Sequence, residues 1–159
     1  MSANLYFHVG ILVEDLEVAM TRFSAVLGFT FNDPITAEFG CLADPEPHEA
    51  FVRCTYSREG PPYIELLEAN GDGLFSLAHG EGVHHLGFWE PDLEARCATL
   101  ASLEVGPQGR VVSPEGATFA YFNRPADLHG TRFEFLADSS RADTEHWIRT
   151  GEFVGPTDL

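Results

Sequence analysis

The chain contains no lysine. All 9 of its basic residues are arginine, set against 25 acidic ones, and the resulting formal charge of −16 describes a surface that repels phosphate backbones and anionic membranes. Nucleic acid and membrane are therefore not expected partners. Without lysine there is no Schiff-base nucleophile and no anchor for pyridoxal phosphate, so any cationic hold on a substrate falls to arginine. Cysteine is scarce as well: Cys41, Cys54 and Cys97 are odd in number and have no C-x-x-C spacing, so neither a disulfide framework nor a thiolate metal site is signalled. No basic-then-apolar leader opens the sequence and no apolar run approaches the length of a membrane span, which leads us to expect a cytoplasmic protein.

What the chain does have is apolar mass and a repeat. Its 159 residues are 44% hydrophobic and 12% aromatic, enough for a core without covalent staples. His8-Val-Gly-Ile-Leu-Val-Glu-Asp15-Leu-Glu-Val-Ala19 returns as His85-Leu-Gly-Phe-Trp-Glu-Pro-Asp92-Leu-Glu-Ala95, and Tyr63-Ile-Glu65-Leu-Leu returns as Arg132-Phe-Glu134-Phe-Leu. Such self-similarity implies two copies of one supersecondary unit, each opening on a strand that carries His and closing on a strand that carries Glu.

Local pattern fills in the units. Residues 5–13 read as a strand; Asp15 then caps a helix with Leu16, Ala19, Phe23, Val26 and Leu27 on one face, and Gly28 ends it. Strands are expected over 29–36, 50–56 and 63–68, the last after the Gly60-Pro61-Pro62 turn. The second unit repeats this, with a strand at 83–90, a helix from Asp92 to about residue 103, and strands at 109–112, 118–123 and 131–136. The predicted organisation is α+β: a first βαβββ module over 1–70, a connector over 71–82 with a short helix at 74–79, a second βαβββ module over 83–138, and a C-terminal extension over 139–159. The extension carries a helical piece near 144–150, for which packing across a dimer and packing over the mouth of a site are equally open.

The repeated polar residues point to chemistry. Folding alone does not require the same His and the same Glu in register in both copies, so His8, Glu65, His85 and Glu134 form a candidate metal site. Adjacent strand residues face opposite ways, and register with His8 selects His85 over His84, leaving His84 in a supporting place. Imidazole with carboxylate and no thiolate suits one divalent ion of Zn, Ni, Co, Mn or Fe, with water completing a five-coordinate or octahedral shell. A metal beside two carboxylates supports proton abstraction next to a carbonyl.

These residues resemble the vicinal oxygen chelate superfamily, whose paired βαβββ modules wrap an open barrel around a divalent metal. The resemblance covers residues 5–137. Ile64-Glu-Leu-Leu-Glu68, a short connector and Gly82-Val-His-His-Leu86 are similar to the methylmalonyl-CoA epimerase branch, whereas Glu65 stands where those epimerases carry Gln and glyoxalase I carries Glu. The resemblance implies a metal-dependent isomerase, epimerase or lyase acting on a small molecule, a homodimer, and Glu65 or Glu134 as a base that can leave the metal. An epimerase-like base would instead come from Glu38, Glu46 or Glu49, and Arg53 or Arg124 would hold a substrate carboxylate or phosphate. The rival readings are a ring-cleaving dioxygenase, which holds iron with two His and one Glu and has no ligand at the position of Glu65, and an antibiotic- or natural-product-binding protein, which needs no tetrad.

Overall fold

The computed structural model describes residues 5–113 and 115–154. Two βαβββ units follow one another: β1 (Tyr6–Val13), α1 (Leu16–Leu27), β2 (Ile35–Ala43), β3 (Pro47–Tyr56) and β4 (Tyr63–Glu68), then β5 (Gly82–Glu90), α2 (Leu93–Ser102), β6 (Pro107–Val112), β7 (Thr118–Asn123) and β8 (Phe133–Ala137), with α3 (Arg141–Thr150) at the end. The helix starts follow from side-chain capping of free backbone N–H groups: Asp15 accepts from Val18 at 2.9 Å and Asp92 from Ala95 at 2.9 Å. Gly28 ends α1 in the left-handed conformation, φ 71°. No helix among the described residues is long and apolar enough to cross a membrane.

The eight strands close into a barrel in the order β1-β4-β3-β2-β6-β7-β8-β5. The modules meet along β1 and β5, antiparallel over six register pairs, and again along β2 and β6, where only Leu42–Val111 and Ala43–Arg110 pair. Strand alternation then sorts the side chains. On β4, Leu66 packs outward beneath α1 with Leu16 and Ala19, while Glu65 and Leu67 face the barrel interior. On β8, Phe135 packs outward in the α2 cluster, while Glu134 and Leu136 face in.

Three segments differ from the sequence expectation. The strand expected at 29–36 lies instead at Ile35–Ala43, and Phe31 makes only an isolated bridge to Ser57. The cause is Asn32, whose buried amide donates to the carbonyls of Trp147 and Ile148 at 3.0 and 3.1 Å and accepts from Arg58 Nε at 2.8 Å. That stretch is a socket for α3, not a rung of the sheet. In the connector only Leu77–His79 is helical, because Leu74 and Phe75 are buried in the main core and Asp44 holds the Leu74 N–H at 2.7 Å. The C-terminal extension docks on its own barrel: Trp147 and Ile148 are each 2% exposed, and Trp147 stacks edge-on against Tyr56. Residues 155–159 of the Gly/Pro tail lie outside the described residues.

Candidate metal centre

Strands β4, β1, β5 and β8 lie side by side, and the register places two rows across them. In one row Glu65 pairs with Gly10, which pairs with His85; in the other His8 pairs with Gly87, which pairs with Glu134. Each imidazole lies across the glycine of the other module. A Cβ added to Gly10 would fall 2.1 Å from His85 Cε1, and one added to Gly87 would fall 2.0 Å from His8 Cε1. The repeated H-x-G is therefore reciprocal: each module's glycine makes room for its partner's ligand.

All four expected side chains converge. The His8 and His85 Nε2 atoms are 2.8 Å apart. Glu65 Oε2 is 3.2 Å from each of them, Glu134 Oε2 is 3.1 Å from each, and the four donor atoms lie within 4.8 Å of one another. Both histidines are essentially inaccessible, and both glutamates are buried. Burial opposes charge on every member, yet the carboxylates raise His8 to about 9 and raise His85, while the two imidazoles hold Glu65 and Glu134 below the usual carboxylate range.

This donor set fits a divalent ion. Atoms about 2.1 Å from one ion and at right angles to each other lie about 3.0 Å apart, as these do. Glu65 Oε2 is buried without a hydrogen-bond donor, and two carboxylates in one buried cluster call for a cation. The tautomer of His85 is suited as well. His84 Nε2–H donates to the Leu74 carbonyl at 2.8 Å, and His84 stays neutral because burial, then His85 and Arg132, lower its pKa to about 3. Its bare Nδ1, 2.9 Å away, accepts from His85 Nδ1–H, which turns the His85 Nε2 lone pair toward the cluster. His84 is thus a support, as register suggests.

A cavity of about 290 Å³ opens beside the tetrad, with Glu65 and Glu134 in its wall. Sequence reading missed the aromatic pair flanking the site. Tyr56 sits opposite Glu65 on β3 and edge-on to His8, and Phe122 sits opposite Glu134 on β7 and edge-on to His85. Their signal was an aromatic residue near the end of the third strand of both copies. Other expectations fail. Glu38, Glu46 and Glu49 are exposed and outside the cavity wall, since on β2 it is Ile35, Ala37 and Phe39 that face in. Arg53 is taken by Glu17 and Glu68, and Arg124 by Asp127 at 3.0 Å; neither reaches the cavity.

Solved structures share this architecture. A methylmalonyl-CoA epimerase variant from Streptomyces coelicolor, in complex with 2-nitronate-propionyl-CoA, is 23% identical, covering 86% of this chain and 98% of its own at a TM-score of 0.58. The methylmalonyl-CoA epimerase of Mycobacterium tuberculosis is 22% identical, with 86% and 91% covered and a TM-score of 0.56. A hypothetical protein of Bacillus halodurans is 20% identical, with 86% and 95% covered and a TM-score of 0.60. At these identities the likeness is one of fold. No curated protein sequence matches the chain significantly. Residues 7–122 match the model of the glyoxalase/bleomycin resistance protein/dioxygenase superfamily, and with most of its length so matched the chain belongs to that family, the vicinal oxygen chelate proteins.

Proposed function

We propose that the chain is a metal-dependent isomerase, epimerase or lyase that removes a proton next to a substrate carbonyl. His8, Glu65, His85 and Glu134 bind the metal, and Glu134, backed by Glu65, accepts the proton. The observation that carries this reading is that, among the described residues, the only buried acidic side chains in the cavity wall are the two glutamates of the tetrad. A divalent ion there (Zn, Ni, Co, Mn or Fe) supplies Lewis-acid stabilisation of the negative charge that proton removal leaves on the substrate.

The two glutamates are not equivalent. Tyr56 lies opposite Glu65 in the register, and burial, then the nearby carboxylates, push its hydroxyl pKa well up, so it keeps its proton beside Glu65. Glu134 faces the Phe122 ring across the register, which offers no such donor. Glu134 is accordingly the carboxylate with an apolar ring, and not a hydroxyl, opposite it. Apolar walls around it exclude water and favour its protonated form once a proton arrives. With Glu38, Glu46 and Glu49 turned away, a carboxylate of the tetrad is the supported base. The same reading carries the modules at 1–70 and 83–138, joined by 71–82 and followed by 139–159, as one working unit that pairs into a cytoplasmic homodimer.

The test is turnover in deuterium oxide by metal-loaded protein, offered a hemithioacetal, a 2-methyl-branched acyl-CoA and a neutral α-hydroxyketone. Deuterium at the α-carbon is expected, and Glu134→Gln with metal retained should slow turnover by about 10²–10⁴-fold. Turnover that leaves the α-hydrogen on its original carbon and face would overturn the proposal.

A further inference from the structure

We infer that the ligand of this cavity is a neutral, compact and mainly apolar molecule, and not an acyl-CoA or another anionic conjugate. This rests on the metal reading above and adds to it the class of molecule accepted.

The argument begins with charge. Among the described residues the cavity wall contains no arginine, and its only charged groups are Glu65, Glu134 and Asp143, all acidic. One divalent ion balances the two buried glutamates, so the wall has no positive charge left for a carboxylate or phosphate. Asp143, exposed on the first turn of α3, adds a negative charge at the rim. A pocket that binds an anion is expected to offer arginine in a planar, two-pronged arrangement, and the chain has no lysine to take its place.

The arginines that are near lie on the wrong side of α3. Ser140, Asp143, Thr144 and Trp147 face the cavity at helical spacing. Arg141 and Arg149 line a separate hollow with Arg58, and that hollow shares no wall residue with the cavity. The helix therefore presents hydroxyl and indole groups to the site and guanidinium groups away from it.

Size and wall chemistry agree. A volume of about 290 Å³ is that of roughly ten waters at about 30 Å³ each, so it suits a molecule of about that many non-hydrogen atoms. Phe39, Phe75, Phe119, Phe122 and Trp147 supply flat apolar surface around it. Ring stacking and desolvation would hold such a ligand, with few polar groups for the wall to satisfy.

The experiment uses the metal-loaded full chain and reads binding by tryptophan fluorescence and by thermal shift. The probes are 2-hydroxyacetophenone, the same molecule carrying a para-carboxylate, and propionyl-CoA. The neutral probe is expected to bind at least about tenfold more tightly than either anion. Asp143→Arg should strengthen binding of the carboxylated probe relative to the neutral one. Equal or tighter binding of the carboxylated probe or of propionyl-CoA overturns the inference, as does failure of the neutral probe to bind at millimolar concentration. Repeating the titration after chelation separates the two readings. Neutral binding that survives metal removal keeps the ligand class and refutes chelation by the metal, whereas metal-dependent binding of propionyl-CoA does the reverse.

Discussion

Replacing Gly10 by alanine adds one methyl group to the first module and should disable a ligand in the second. The new Cβ would lie 2.1 Å from His85 Cε1, 2.4 Å from Nε2 and 2.5 Å from Nδ1, so it meets the imidazole face and not a yielding side-chain end. Reaching even 3.4 Å, where ordinary contact begins, requires the ring to move by about 1.3 Å. Metal–ligand distances tolerate about 0.2 Å. The ring has little room to retreat, being tied through Nδ1 to His84 at 2.9 Å with Phe122 edge-on behind it. Overpacking costs about 1–3 kcal/mol, and loss of an ion present at a hundredfold excess over its Kd removes about 2.7 kcal/mol more, so the variant should be about 4–6 kcal/mol less stable under metal-saturating conditions. Metal affinity should fall by more than the about 10–100-fold typical of losing a supporting contact. The assay is elemental analysis and competitive metal titration of purified protein, with melting measured with and without metal. Gly106→Ala is the control, since its Cβ would meet only the end of the exposed Arg124 side chain. A Gly10→Ala protein that binds one ion per chain with wild-type affinity would refute the reciprocal packing.

Chelation of the wild-type metal should lower Tm by about 5–11 °C, taking about 2.7 kcal/mol and about 2–4 °C per kcal/mol for a chain of this size. That gap should widen with pH. His8 has its pKa raised from 6.5 to about 9, so its contribution to the metal-free protein is complete below pH 6.5 and is lost as pH rises through 9, while metal, which needs the imidazole deprotonated, binds more tightly over the same window. A gap that is constant or shrinks between pH 6.5 and 9 would contradict this. His84→Phe keeps an aromatic ring but leaves the Leu74 carbonyl and His85 Nδ1 without partners, and competitive titration should show metal binding weakened by about 10–100-fold. Trp147→Ala should cost about 3–5 kcal/mol by chemical denaturation, because the ring is buried against Tyr56 and Phe153, yet leave one ion bound per chain.

The tetrad was legible in the sequence because duplication prints each functional choice twice. His8 and His85, Glu65 and Glu134 occur at matching places, and a local strand pattern suffices to put each pair on one face. The two glycines were visible in the same motif, but their purpose depends on β1 lying antiparallel to β5, a pairing across 77 residues that no local pattern encodes. The misplaced second strand has a similar cause. Asn32-Asp33-Pro34 interrupts that stretch with poor strand formers, a local signal passed over, and Asn32 is committed to carbonyls on α3 more than a hundred positions away, which propensity cannot see. The docking of α3 and the cavity wall were unreadable for the same reason: both are products of closure of the barrel. Arg53 misled differently, since a lone arginine in a strand looks the same whether it awaits an anion or, as here, two neighbouring glutamates.

The two junctions between the modules are unequal, and this gives the ring a hinge and a latch. The tetrad sits on β4, β1, β5 and β8, around the six-pair junction, whereas the opposite wall closes through two pairs between β2 and β6. Parting the latch breaks the fewest main-chain bonds and leaves every strand that bears one of the four converging side chains paired. A fluctuation at residues 42–43 and 110–111 would therefore open the barrel while the four converging side chains stay assembled.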